Sequence, residues 1–356
     1  MDSHTTDPST ESIYPWQRHA WDQLQQAKSR LPHAILLHGD AGSGKTDFAS
    51  HFAKSLLCQW PLPGGHACGV CDACGWFSQY SHPDFRRVRP EILDEGEGGD
   101  AEDGEAEPRK ATKTTKAPSK DIRIEQVRSL ASFMNLSTHR NGMRVVLLYP
   151  AESLNTASAN ALLKTLEEPP PQTVILLVCH RIDRLLPTIL SRCRKFAMPM
   201  PDRAEALAWL QAQGVKDADV WLAEQGGAPL AALEQAQAQV GERELLDDFL
   251  QHLARPGRET ALATAERLQK APVPALVAWL QRWLFDVFSC KLSGTIRYYP
   301  RHRSHLTALA ARADVGDLMA GLQALTQRRA VADHPLSAKL FIEDMLLDYA
   351  RIFSRG

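Results

Sequence analysis

Three short runs of consecutive apolar residues mark the first half of the chain. They read HAILLHG from residue 33, MRVVLLYP from residue 143 and TVILLVCH from residue 173, and each is followed by a segment that suits a helix. Runs of about four to eight residues rich in Val, Ile and Leu are typical of parallel strands buried on both faces. Their alternation with helices predicts an α/β layer fold.

The second half of the chain shows helical spacing instead. Residues 201–238 predict short amphipathic helices with Gly and Pro between them, and further along apolar residues recur at intervals of three and four. Phe341, Met345, Tyr349 and Ile352 form one such stripe, which we interpret as core packing. A helical region is therefore expected after the α/β layer.

Residues 91–120 differ from the rest of the chain in composition. Nine acidic residues in EILDEGEGGDAEDGEAE are followed by five basic residues in RKATKTTKAPSK, with almost nothing apolar between them. A segment with so little apolar surface to bury cannot offset the entropy of ordering. The composition predicts a disordered surface insertion.

The whole-chain charge is balanced, with 41 Lys and Arg against 42 Asp and Glu. It offers no basic excess of the kind an autonomous nucleic-acid binder uses, so any nucleic acid must be met locally. No run of about 18 apolar residues occurs, and the first stretch, MDSHTTDPSTES, is mostly polar and acidic. We expect a cytoplasmic protein with no membrane partner.

Four of the seven cysteines lie close together in LLCQWPLPGGHACGVCDACGWF. Cys58, Cys68, Cys71 and Cys74 combine two nested C-x2-C steps with a looped return, a spacing that lets thiolates meet at one tetrahedral zinc ion. Four sulfur ligands leave no position for a catalytic water, so the pattern predicts a structural zinc module over residues 58–74. His66 in place of one cysteine, or four unligated thiols, are the alternatives.

A phosphate-binding loop follows the first predicted strand. Its sequence GDAGSGKT matches G-x4-G-K-[ST], with a strand before it and a helix after it. Small residues let backbone N–H groups face the phosphates, the lysine reaches the terminal phosphates and the threonine can ligate magnesium. ATP or ADP is the expected ligand, and the binding residues are Gly39, Gly42, Ser43, Gly44, Lys45 and Thr46.

Hydrolysis also needs acidic residues near the end of a neighbouring strand, to hold the magnesium and to orient the attacking water. The tip of the second predicted strand carries Tyr149 and Pro150 instead, and Glu152 lies three positions beyond Tyr149. We expect Glu152 to point onto the following helix. The chain is therefore predicted to bind nucleotide without hydrolysing it, although an ATPase that recruits Glu152 or another acid remains an alternative.

Five stretches together carry a resemblance to a known family. They are YPWQ from residue 14, the four-cysteine segment, SHPDF from residue 81, NALLKTLEEPP from residue 160 and LPTILSRCRKF from residue 186. With these stretches the chain resembles the delta-prime family of bacterial DNA polymerase III clamp-loader subunits, which belong to the AAA+ class. The resemblance covers nearly all of residues 13–200 except the charged insertion.

The resemblance implies three domains: an AAA+ ATPase-like domain over 1–198, a helical lid over 199–240 and a helical collar over 241–356. It also implies a ring of five subunits with tau/gamma and delta partners, which loads the sliding clamp on primed DNA as part of the DNA-directed DNA polymerase III holoenzyme, a nucleotidyltransferase complex. The implied location is the replisome at the nucleoid, in the cytoplasm.

The resemblance further implies a role for Arg192 in the Ser-Arg-Cys stretch, as an arginine finger that acts on the ATP site of a neighbouring tau/gamma subunit. A surface arginine in a basic run is the alternative. NALLKTLEEPP is interpreted as packing near the subunit interface, and Pro229 stands where active members carry a nucleotide-sensing arginine. A zinc-dependent DNA-binding module is a further alternative, which the balanced charge disfavours.

Overall fold

The computed structural model describes residues 13–94, 118–135, 142–237, 240–332 and 337–354. The chain separates into two compact units, Met1–Pro201 and Asp202–Gly356. Most of the predicted charged insertion, residues 95–117, lies outside the described residues. The described ends of the predicted segment 91–120 are ordered. Glu91–Leu93 forms a turn of 3-10 helix, and the Ser119 N–H donates to the Glu91 carboxylate at 3.1 Å.

The first unit is built on a five-stranded parallel sheet with the strand order β2-β3-β4-β1-β5. The central pair aligns Leu36 with Leu177. The strands are β1 Ala34–His38, β2 Phe85–Val88, β3 Arg144–Leu148, β4 Thr173–Cys179 and β5 Arg194–Ala197.

Helices cover both faces of this sheet. Alternate residues of β1 point to opposite faces, so that Ile35 and Leu37 join one hydrophobic cluster and Leu36 joins the other. The first cluster contains residues of the first three helices, and the second contains residues of the last three. The helices are α1 Arg18–Gln26, α2 Lys45–Leu57, α3 Asp72–Ser78, α4 Ile124–Asn135, α5 Thr156–Glu167 and α6 Pro187–Leu190.

The three strands predicted from apolar runs are β1, β3 and β4, so the prediction of a parallel α/β layer is confirmed. The strands β2 and β5 were not predicted. Both lie at the edges of the sheet, where FRRV and RKFA combine Phe with basic residues. Charged side chains are common on edge strands because they oppose pairing with another chain, and here they hide the strand pattern.

The second unit is helical in its described residues, as predicted. One small hydrophobic cluster joins α7–α9 and a large one joins α10–α15. The helices are α7 Arg203–Ala212, α8 Ala218–Glu224, α9 Pro229–Gln237, α10 Val240–Leu253, α11 Arg258–Leu268, α12 Val273–Ser293, α13 Arg303–Arg312, α14 Val315–Val331 and α15 Ala338–Ile352.

The stripe predicted near the carboxyl end packs into the large cluster. Met345, Tyr349 and Ile352 of α15 are buried, and Phe341 is partly buried against them. The indole of Trp283 donates to the Tyr349 hydroxyl at 2.9 Å, and that hydroxyl donates to the Leu253 carbonyl at 2.6 Å. The aromatic residues of this stripe therefore serve core packing.

Among the described helices, we find none with both the length and the apolar character that a membrane crossing needs.

Candidate functional site

The predicted phosphate-binding loop joins β1 to α2, and glycine is required at two of its positions. Gly39 and Gly44 have φ angles of 150° and 78°, which residues with a side chain rarely adopt. A Cβ on Gly39 would lie 2.3 Å from the Met198 carbonyl oxygen, and one on Gly44 would lie 2.4 Å from the Tyr14 ring. Close packing on the outside of the loop therefore fixes its course.

A strap formed by Tyr14, Trp16 and Gln17 holds the outside of the loop. The buried Gln17 amide donates to the carbonyls of Ser43 and Gly44, both at 2.9 Å, and the Trp16 indole donates to the same Ser43 carbonyl at 2.9 Å. In a trans peptide the C=O and the N–H point in opposite directions. Holding these carbonyls from outside turns the next N–H groups toward the inside of the loop, where an anion would lie.

Lys45 begins α2 and its side chain folds back into the loop. It is 2% exposed, and its Nζ donates to the Asp40 carbonyl at 2.5 Å and to Ser43 Oγ at 3.4 Å. Burial lowers the pKa of Lys45 to about 8, against the opposing attraction of the Asp40 and Glu152 carboxylates. Thr46 follows in the first turn of α2, whose N-terminus adds positive potential.

The tip of β3 brings no carboxylate to the loop. The Tyr149 hydroxyl accepts a hydrogen bond from Arg89 Nη1 at 3.2 Å, and the Tyr149 N–H donates to the Val88 carbonyl at 3.0 Å, which ties the tip to the edge strand β2. Pro150 follows and has no functional side chain. A magnesium ligand at this tip, as hydrolysis requires, is therefore missing.

Glu152 does not point onto the following helix, and that expectation was wrong. Its carboxylate accepts the His180 N–H at 2.9 and 3.2 Å, just beyond the end of β4. Its charge raises the pKa of Lys45 against burial, so the carboxylate lies within electrostatic reach of the loop. The sequence distance from the β3 tip concealed this placement, because the 3-10 turn Ala151–Ser153 redirects the chain.

The four predicted cysteine ligands converge. All four Sγ atoms lie within 4.8 Å of one another, with 4.0 Å between those of Cys58 and Cys71 and between those of Cys68 and Cys74. Four sulfurs at about 2.3 Å from one zinc ion stand about 3.8 Å apart, so the cluster is close to the size of such a site. The four residues present therefore fit a tetrahedral metal ion.

Backbone geometry supports this cluster. The Cys68 N–H donates to Cys58 Sγ at 3.2 Å and the Cys74 N–H donates to Cys71 Sγ at 3.4 Å. The backbone N–H of Val70 is the main cause that lowers the pKa of Cys68 to about 6, whereas burial raises the pKa of Cys58 and of Cys74. A bound cation would favour the thiolate form of all four cysteines.

His66 lies outside the group of four sulfurs. Its ring stacks on Trp21 with 4.4 Å between centroids, and its Nδ1 is 2.9 Å from His51 Nε2. It is half-buried, and it does not take the place of a cysteine in the cluster. The contact connects the cysteine module to α1 and α2.

Arg192 follows α6 and leads toward β5. Its Nη2 is 2.5 Å from Glu167 Oε1, and its Nη1 donates to the Thr188 carbonyl at 3.0 Å and to Ser191 Oγ at 3.3 Å. The side chain is 34% exposed. Sequence reasoning named Arg192 but missed its partner, although Glu167 was visible at the end of the LLKTLEEPP stretch.

Pro229 occupies the first position of α9 and is buried. Active members of the family resembled are expected to carry a nucleotide-sensing arginine at this position, and proline offers no guanidinium there. The phosphate loop and Glu152 are brought together, whereas the cysteine cluster and Arg192 form separate sites of the first unit.

Comparison with known proteins places this combination in a family. The family model described as "DNA polymerase III, delta subunit" matches residues 16–202. The DNA polymerase III subunit delta' of Pseudomonas aeruginosa is 38% identical over 79% of each chain, and that of Escherichia coli is 29% identical over 94% of each chain. A solved gamma subunit-related protein of DNA polymerase III from Thermotoga maritima has a TM-score of 0.42 and 17% identity, over 93% of this chain and 99% of that chain. The family-model match and the 38% identity show that this chain belongs to the delta-prime family of DNA polymerase III subunits.

Proposed function

We propose that the chain is a non-hydrolysing subunit of a DNA polymerase III clamp loader that contributes Arg192 to the ATP site of a neighbouring subunit. One observation carries this proposal. A complete phosphate loop lies beside a β3 tip where Tyr149 is bonded to Arg89 and no carboxylate is present. A chain built in this way retains the means to bind a nucleotide and lacks a residue that turnover requires.

The phosphate loop would hold ATP or ADP as a resident ligand. The backbone N–H groups between Gly39 and Thr46, the Lys45 ammonium and the N-terminus of α2 form a cradle for phosphates. The strap fixes the loop in the free chain, so little ordering remains to oppose binding.

The cysteine cluster would hold one zinc ion in a structural role. When bound, the metal supplies cross-linking of the chain, since four thiolates leave it no open coordination position. Cys58 follows α2 directly, Cys71 caps the start of α3 and Cys74 lies in its first turn, so the ligands join the two helices through the loop between them. The AAA+ assignment of this unit, with its inserted zinc module, is part of the same proposal.

Arg192 would act in trans. Its guanidinium is partly exposed and projects from the turn after α6, where a neighbouring subunit's phosphates could reach it. A fixed cation at a transferring phosphoryl group stabilises the charge that develops in the transition state. The chain then contributes to hydrolysis without hydrolysing ATP itself.

The relatives are named as subunits of DNA polymerase III, and we extend this assembly to the chain. It would join tau/gamma and delta subunits in a five-membered ring, with residues 199–240 as the lid and 241–356 as the collar. Through that ring it would support loading of the sliding clamp on primed DNA, in the cytoplasm at the nucleoid.

A competent ATPase is the second candidate, and the position of Glu152 favours it. This carboxylate lies near the loop and could serve as a substitute magnesium ligand. ATP turnover by the purified chain that disappears in Lys45→Ala would establish this activity. Absence of turnover together with measurable ADP binding is the outcome expected from the proposed function.

The trans-acting role is tested with Arg192→Ala in the assembled complex. We expect normal assembly and a lower ATPase rate, since an arginine finger contributes about a thousandfold or more at the site that it serves. Arg123→Ala is the matched control, because Arg123 also forms a partly exposed ion pair with a glutamate, Glu91, at 2.8 Å. An Arg192→Ala complex that hydrolyses ATP and loads clamps at the wild-type rate would exclude the role.

A further inference from the structure

The contact between Glu167 and Arg192 joins two elements of the first unit. Glu167 is the last residue of α5, and Arg192 lies two residues beyond α6. Among the described residues, the other acceptors for the Arg192 guanidinium are the Thr188 carbonyl and Ser191 Oγ, both in its own turn. Glu167 is therefore the contact that fixes the position of the guanidinium relative to α5.

Glu167 stands at an unfavourable place for the helix that carries it. The C-terminus of a helix is the negative end of its dipole, and acidic residues there are destabilising. Arg192 offsets that charge at 2.5 Å. Residues that oppose the local preference of their helix, as an acid at its C-terminus does, are common at functional positions. The carboxylate is therefore better explained by its contact with Arg192 than by any benefit to α5.

The strength of the pair decides what it can do. Arg192 and Glu167 are 34% and 48% exposed, and ion pairs of this kind change an equilibrium by about fivefold at most. An arginine at a transferring phosphate contributes about a thousandfold. The carboxylate is therefore too weak to withhold the arginine from a phosphate, but it is strong enough to bias the direction of a flexible side chain.

The guanidinium also keeps donors for a phosphate. It carries five N–H groups, and the three acceptors among the described residues leave at least two unused. Arg192 can thus remain on Glu167 while it contacts phosphate oxygens. A bound orientation that needs no rearrangement at the moment of reaction is what electrostatic preorganisation requires.

We propose that Glu167 is a positioning residue that orients the Arg192 guanidinium toward the phosphates of the neighbouring subunit's ATP. This inference rests on the trans-acting role proposed above for Arg192. It gives the first glutamate of the LLKTLEEPP stretch a task in the reaction, through Arg192 and without contact with the nucleotide.

The test uses the full chain assembled with its tau/gamma and delta partners. Glu167→Gln removes the charge with little change of shape, and we expect kcat for ATP hydrolysis to fall about two- to fivefold with KM unchanged. Glu91→Gln is the matched control. This variant removes the glutamate that pairs with Arg123. Glu91 follows β2, at the opposite edge of the sheet from β5, so its loss should leave kcat at the wild-type value.

The Arg192→Ala background separates the two proposals. There, Glu167→Gln should lower kcat no further, because a positioning residue has nothing left to orient. If Arg192→Ala itself leaves kcat unchanged, the trans-acting role fails. If Arg192→Ala slows the complex but Glu167→Gln does not, or if Glu167→Gln slows it further in that background, the positioning role is overturned.

Glu167→Asp keeps the inference testable if Glu167→Gln fails to assemble. It retains the charge but withdraws the carboxylate by one methylene. Its kcat should therefore lie below the wild-type value and, where Glu167→Gln can be measured, above the value of that variant. A Glu167→Asp complex that assembles normally and has the wild-type kcat would overturn the positioning role in that case.

Discussion

The buried lysine of the phosphate loop predicts how nucleotide binding depends on pH. Lys45 is 2% exposed, and burial lowers its pKa to about 8. A phosphate bound in the loop adds negative charge beside Nζ and raises the pKa of Lys45 in the complex. Binding then takes up a proton above about pH 8, and linkage requires the affinity to fall as pH rises.

The magnitude follows from the protonated fraction of the free chain. With a pKa of about 8, that fraction falls about 25-fold between pH 7.5 and pH 9.5, whereas a lysine with an ordinary pKa of about 10.4 loses about a tenth. If only the protonated form binds phosphate well, the dissociation constant for ADP should rise by about twentyfold over this range. An unshifted lysine would leave it nearly constant.

The titratable groups His38, His180 and Cys179 near the loop do not change protonation between pH 7.5 and pH 9.5. Burial lowers the pKa of His38 and of His180, so both imidazoles are already neutral at pH 7.5. Burial and the Glu152 carboxylate raise the pKa of Cys179 to about 12, so its thiol stays protonated at pH 9.5. A change in affinity between these limits therefore reports Lys45.

The assay is titration calorimetry of the purified chain with ADP, in two buffers of different ionisation enthalpy at each pH. The buffer difference gives the proton uptake directly. Lys45→Arg is the control, because arginine stays charged throughout and should abolish the pH dependence even if it weakens binding. Wild-type affinity that is constant from pH 7.5 to pH 9.5, without proton uptake, would refute the assignment of a lowered pKa to Lys45.

Three further expectations concern the strap, the cysteine cluster and the helical core. Gln17→Leu removes two buried hydrogen bonds from the loop, so the free energy of unfolding of the first unit should fall by about 1–3 kcal/mol and ADP should bind more weakly; unchanged melting and affinity would contradict this. The purified chain should contain one zinc ion. His66→Ala should retain it, because His66 contacts Trp21 and His51 instead of the sulfurs. A preparation with intact thiols and no metal would contradict the zinc site. Tyr349→Phe leaves the buried Trp283 N–H without its acceptor and should destabilise the second unit by about 2–4 kcal/mol in denaturant unfolding, whereas the half-buried control Tyr298→Phe should change little.

The central part of the fold could be predicted because its signal is local. The strands β1, β3 and β4 are buried on both faces, and each therefore appears as a continuous apolar run. The edge strands β2 and β5 escaped prediction because their half-buried or exposed positions carry arginine and lysine. Periodicity likewise indicated the helical second unit, since the buried positions of α15 recur at helical spacing.

The candidate sites divide in the same way. The phosphate loop and the cysteine spacing are contiguous patterns in which chemistry fixes the residue types, and the structure brings the four sulfurs together. The Gln17 strap and the Glu167–Arg192 pair join residues about 25 to 27 positions apart, and Glu152 lies about a hundred positions along the chain from the loop that its charge reaches. Such contacts depend on how helices and turns pack, which spacing along the chain does not encode.

Retention of the loop in a chain without the β3 acid has a thermodynamic rationale. A ligand that binds only the folded state adds RT ln(1 + [L]/Kd) to stability, about 2.7 kcal/mol at a hundredfold excess over Kd. A nucleotide in this loop would contact the N-terminus of α2, the helix whose far end meets the cysteine module and whose side packs on the sheet. Binding without turnover would then hold α2 in place for as long as the nucleotide stays bound. On the proposed function, Tyr149 and Pro150 at the β3 tip are therefore compatible with Lys45 and Thr46 in the loop, because a nucleotide bound without turnover would stabilise the unit that carries Arg192.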